Sequence, residues 1–181
     1  MQQLAIDTVG GIPAHPLLVH IPVLMIPLAL ALALLAFYRP ARTAALWGAA
    51  GSAIVGLIGC FLASGSGEAL QGAVEKSALL RAHTEAGDQV AAFVAPFLVV
   101  LLVALVIELS RNDALPFVGS LAFAKNASAA FFTSVMALCI VFGTVASWKT
   151  YEAGHSGAKS AWNDVDVSKV GEHNDRGDGD D

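Results

Sequence analysis

The sequence predicts an all-α, polytopic membrane protein: an up-down four-helix transmembrane bundle followed by a disordered acidic C-terminal tail. Three observations predict it. Of 181 residues, 56% are apolar and 14% charged, whereas soluble domains run at about 45–50% apolar and about 25% charged. Four uninterrupted apolar runs are each long enough to cross about 30 Å of hydrocarbon as helices. The formal charge of −5 lies wholly in residues 152–181, which hold eight of the fifteen acids and three of the ten bases. The rest of the chain is neutral, so the basic footprint of a nucleic-acid binder is absent. Cys60 and Cys139 stand in apolar runs, and make neither a disulfide framework nor a CxxC site.

The spans fall at about 16–38, 44–64, 88–108 and 127–148, inside a transmembrane domain of residues 1–160. In lipid the backbone must satisfy its own hydrogen bonds, so runs of this length are helices. The first has no Lys or Arg before Arg39 and exceeds a signal-peptide core, so it is expected to be a retained helix. Gly48, Ser52, Gly56 and Cys60 recur every four residues in the second span, with Gly59, Ala63 and Gly67 as a neighbouring ridge. Gly87, Ala91 and Ala95 repeat the device near the third, and Cys139, Gly143 and Ser147 in the fourth. Small residues at this spacing let backbones approach closely. Glu68–Ala82 is expected to be an interfacial helix or the extended start of span three. Glu108 and Arg111, three residues apart, read as a snorkelling pair. Residues 161–181 are too polar and acidic to bury a core, and His173 lies among them with no assigned role.

Near the membrane the basic residues tie. Arg39, Arg42, Arg111 and Lys125 lie in the two short links, and Lys76, Arg81, Lys149 and Lys159 on the other side. The short links carry the denser charge and flank the first helix, which places both termini outside the cytoplasm. Tyr38, Trp47, Trp148 and Tyr151 fit interfacial aromatic belts.

An up-down bundle gathers His15, His20, His83 and His155 at one membrane surface, with Glu68, Glu75, Glu85 and Asp88. His20 lies a turn inside the apolar run HPLLVHIPVLMIP, where an ionisable residue is a functional candidate. Pro22 and Pro27 deprive the carbonyls of Leu18 and Val23 of their usual partners. His15 and His20 are five apart, about 140° round an ideal helix, so they do not share a ligand face. His83 precedes the third run. His155 follows the fourth, where Gly154 and Gly157 would let the chain fold back over the bundle mouth. Neutral imidazole is a common ligand for zinc, copper and haem iron. His20 and His83 are therefore the first candidates to hold haem b or a transition metal, with His15 and His155 behind them. No CxxCH, HExxH or P-loop is present, and nothing resembles a nucleophile elbow, so a hydrolase is excluded.

At His15-Pro16…His20-Ile21-Pro22 the chain resembles a bacterial four-span membrane domain family of unknown function with an HP…VHFP opening, Ile21 standing for the usual aromatic. His83 before the third helix and His155 with Gly157 after the fourth are similar as well. The resemblance implies a bacterial inner-membrane location, in which the charge distribution makes both termini periplasmic. It also implies a periplasmic electron-transfer partner and haem or electron-transfer chemistry. From the residues themselves, the expected role is a non-catalytic helical subunit or scaffold, single or oligomeric, with a histidine cluster at its outer face. The alternative is a haem- or metal-binding membrane redox protein using that cluster.

Overall fold

A computed structural model describes residues 7–112, 124 and 126–165. The tail beyond 165 and most of the link between the third and fourth spans lie outside the described residues. The chain forms an all-α four-helix bundle, and all four helical rods are long and apolar enough to span a membrane. The first rod is α1 (His15–Leu18) followed by α2 (His20–Leu35). A short 3-10 turn at Arg39–Ala41 leads into α3 (Arg42–Gln71). Then come α4 (Ala78–Arg111) and α5 (Ala129–Ala161).

The last three helices overshoot the apolar runs. Ser77 begins α4, its hydroxyl accepting a hydrogen bond from Leu80 N at 3.0 Å, and Ser128 begins α5 by accepting from Phe131 N at 3.1 Å. These are N-caps that satisfy otherwise orphaned amides. The segment Glu68–Ala82 is therefore not one interfacial helix. Its start belongs to α3 and its end to α4. The sequence reading of a fold-back at Gly154 and Gly157 is likewise corrected, because α5 continues helically through both and carries His155 on a helix. Glycine is tolerated in a helix whose neighbours hold it in place, at a cost of about 1 kcal/mol relative to alanine.

Ahead of α1, Thr8–Val9 (β1) and Ile12–Pro13 (β2) form a two-residue hairpin closed by Gly10 and Gly11 at φ 59° and 81°. Such left-handed pairs suit glycine and give the tight turn its twist. Ala14 N then donates to Asp7 O at 3.0 Å, which fixes where His15 enters the bundle.

The helices pack in a ring, α2 on α3, α3 on α4, α4 on α5 and α5 on α2. Glycines on α3 receive side chains of the first rod. A methyl at Gly59 would lie 2.6 Å from Ile21 Cγ2, and one at Gly56 2.9 Å from Ile26 Cγ1. On α5, a methyl at Gly143 would lie 2.9 Å from both Leu30 and Phe97. Only hydrogen fits there, so these glycines set the interhelical distance.

The two hairpins bury equivalent positions. Pro22, Ile26, Ala29, Ala33 and Ala36 are buried along the first rod, as are Val90, Val94, Phe97, Leu101 and Ala104 on α4, each 68 positions later. Leu46, Ala49, Ala53, Gly56, Cys60 and Ala63 on α3 match Met136, Cys139, Gly143, Ala146, Thr150 and Ala153 on α5, each 90 later.

At the end bearing Arg39 and Arg42, Glu108 is only 8% exposed. It does not pair with Arg111 as the sequence spacing suggests. Its carboxylate accepts from Thr43 Oγ1 at 3.3 Å and Asn112 Nδ2 at 3.2 Å, with Arg42 3.9 Å away. Arg111 instead donates to the carbonyls of Ala127 and Ser128 and lies over the Phe132 ring, with Arg42 over the same ring. Glu108 faces α3 while Arg111 faces the start of α5, and the bundle separates what the local spacing joined.

Gly59→Ala should lower stability by about 1–3 kcal/mol through overpacking, while Gly51→Ala, which meets open space in the middle of α3, should keep it or raise it by up to about 1 kcal/mol. Denaturant unfolding in detergent measures both. Glu108→Ala should cost about 1–3 kcal/mol by stranding Thr43, Asn112 and Arg42. Glu108→Gln, which keeps an acceptor, should cost less in the same assay.

Candidate functional site

Four helix ends meet at the histidine end and enclose a cavity of about 1010 Å³, at the upper end of the about 300–1,000 Å³ usual for ligand pockets. His15, His20 and His83 line it, and so do Glu68, Glu75 and Asp88 at intervals round the wall. Glu85 turns away to pair with Arg81 at 2.9 Å on the exposed face of α4. Gln71 Nε2 donates to Thr84 Oγ1 at 2.7 Å and ties the end of α3 to α4.

The structure brings His15 and His83 together. Their ring centres are 5.9 Å apart and the planes meet at 73°. Each ring is held in the same way. His15 Nδ1 donates to Ala63 O at 2.8 Å, and Ser66 Oγ, 3.5 Å from that nitrogen, donates to the same carbonyl at 3.0 Å. His83 Nδ1 donates to Ala153 O at 3.0 Å, and Ser156 Oγ, 3.3 Å from it, donates to that carbonyl at 2.9 Å. A carbonyl can only accept, so Nδ1 carries a proton in both rings, and in the neutral imidazole Nε2 keeps its lone pair. The next residue is glycine in each case. A methyl on Gly67 would lie 3.0 Å from His15 Nδ1, and one on Gly157 2.9 Å from His83 Cε1.

His20 and His155 do not join this pair. His20 is exposed, and its Nδ1 donates at 2.7 Å to Pro16 O, four residues back on α1 of the same rod. His155 is exposed and stacks on Tyr151 with centres 5.7 Å apart and planes 9° apart. It lines a smaller pocket with Val23, Pro27, Ser147 and Thr150. Among the described residues no group of three or more His, Cys, Asp or Glu side chains is arranged to hold a metal ion.

Sequence reasoning missed the two cradles, Ala63-x-x-Ser66-Gly67 and Ala153-x-x-Ser156-Gly157, although both read A-x-x-S-G at the ends of helices. That repetition was the available signal. The Gly10-Gly11 pair between Val9 and Ile12 was likewise a readable hairpin signal. Comparisons with protein-family models, with curated proteins and with solved structures find no match.

Histidine-directed acylation read by peptide mass spectrometry should modify the exposed His20 and His155 faster than the half-buried His15 and His83. Equal rates at all four would contradict this packing.

Proposed function

We propose that this is a redox-class membrane protein that holds a cofactor at its outer face, with haem b as the best-matched group and His15 and His83 as the ligands. One observation carries the reading: two apposed imidazoles, both with Nδ1–H committed to a backbone carbonyl, line one cavity. A hydrogen-bonded Nδ1–H fixes the tautomer and raises the basicity of Nε2, as the outer shell of a metal-binding histidine does. Two imidazoles bound through Nε2 at about 2.0–2.1 Å to one ion would have ring centres about 5 Å apart at a tetrahedral angle and about 6.3 Å apart across the ion. The 5.9 Å of the His15–His83 contact lies between these, so a small rotation of either ring reaches a shared ion. The donor set favours haem over a bare ion. His15 and His83 would suffice to hold the iron of a haem, whereas zinc would ask the protein for three or four ligands. Haem bound here would supply one-electron chemistry. The chain's own residues orient the imidazoles, and the carboxylates of Glu68, Glu75 and Asp88 at the mouth suit a basic electron-transfer partner in the periplasm.

The placement follows from charge. Arg39, Arg42 and Arg111 stand at the helix ends opposite the cavity, and by the positive-inside rule they favour that end facing the cytoplasm of a bacterial inner membrane and the cavity facing the periplasm. The HP…VHFP resemblance supports the same location. A second reading, a non-catalytic helical subunit or scaffold, is favoured by the fact that each histidine also ties two helices together, α1 to α3 and α4 to α5.

Protein purified in detergent from cells supplied with haem precursors should show a Soret band that shifts on reduction. His15→Ala and His83→Ala should each abolish it, and His155→Ala should not. Colourless protein free of iron, copper and zinc would leave the scaffold reading. Reporter fusions at Arg42 and Asn112 should read as cytoplasmic; periplasmic activity at both would invert the orientation.

A further inference from the structure

The buried faces of the two hairpins match at shifts of 68 and 90 positions, yet a repeating helical pattern matches itself at several shifts. The histidine end selects these two. The first shift carries His15 onto His83, and the second carries Ala63, Ser66 and Gly67 onto Ala153, Ser156 and Gly157. The cavity wall obeys the same registers, with Pro22 opposite Val90 and Cys60 opposite Thr150. In a ring ordered α2, α3, α4, α5, exchanging α2 with α4 and α3 with α5 is a half-turn about the bundle axis. Parallel repeats related by such an axis are a known way of building a membrane site between halves.

We infer that the two hairpins are two copies of one half-site, and that they converge on a single ligand held at the axis by His15 and His83 equally. This rests on the cofactor reading above and deepens it. Each half-site has three parts with separate physical jobs. The alanine carbonyl takes the Nδ1 proton and so points the Nε2 lone pair away from its own hairpin. The serine hydroxyl donates to the same carbonyl and stands beside Nδ1, fixing the ring's tilt. The glycine leaves the space in which the ring lies. Two donors related by a half-turn define one point between them, so the stoichiometry is one ligand per chain. The class of ligand is a metal centre offering two coordination positions to neutral imidazoles.

The same registers account for the histidines left out. The position equivalent to His20 is Asp88, and the position equivalent to His155 is Gly65. Neither has an imidazole counterpart across the axis, so neither belongs to the shared site.

The test uses the full chain, labelled with ¹⁵N-histidine, in lipid nanodiscs. Without any added metal, two histidines should show protonated Nδ1 and unprotonated Nε2 with closely matched shifts, one lost in His15→Ala and the other in His83→Ala. Haemin and Zn²⁺ are then titrated separately. With at least one of them, both Nε2 signals should respond together and saturate at one equivalent per chain, while His20 and His155 stay unmoved. Gly67→Ala and Gly157→Ala should each weaken uptake by about 10–100-fold and by similar amounts, with Gly51→Ala unchanged as the control. Saturation at two equivalents, a response from only one of the pair, or binding of neither probe would overturn the inference. Protein that purifies colourless and metal-free yet takes up one equivalent between the matched pair would uphold it and remove the native haem reading instead.

Discussion

Inside a bilayer no water completes a backbone hydrogen bond, and no hydrophobic force presses one helix against another. The first condition makes the spans helical. The second leaves close contact between backbones as the force that gathers them. Within the spans, Gly56 and Gly59 on α3 and Gly143 on α5 let side chains of neighbouring helices lie against bare backbone, since a methyl at any of them would meet a neighbour within 3 Å. The ring of helices depends on those gaps, and the cavity depends on the ring. It opens where α3, α4 and α5 run on past the apolar runs and no longer need to close against each other.

The two ends of the bundle handle polar groups differently. At the Arg42 end a buried carboxylate is satisfied by Thr43, Asn112 and a nearby guanidinium, and both arginines rest on one aromatic ring. That end is closed and electrostatically settled. At the histidine end the imidazoles are only half satisfied. Each Nδ1 is committed, each Nε2 has no protein partner among the described residues, and both border open space. An imidazole nitrogen without a protein partner beside open space is what distinguishes this end from the closed one.

On the half-site inference, a hairpin that places one histidine against an A-x-x-S-G cradle would be half a site, and two hairpins packed side by side would complete it without any contiguous motif. The differences between the halves, such as His20 against Asp88, then become free to serve other purposes.

How much of this was legible follows from the range of each interaction. Helix number, span positions and the clustering of the histidines at one end depend on local hydropathy and on the alternation of direction that short links impose, and the sequence alone determined them. The choice of partners was decided only in three dimensions. His20 looked stronger than His15 because it sits deeper in the apolar run, but rotation about the first helix turns His20 back onto Pro16 and His15 inward to Ala63. Glu108 likewise reaches across to Thr43 and Arg42 on α3 and to Asn112 at its own helix end, not to Arg111. Depth along a helix is written in the order of residues; azimuth is set by which neighbour the packing selects, and those contacts join positions 48 and 70 apart in the chain.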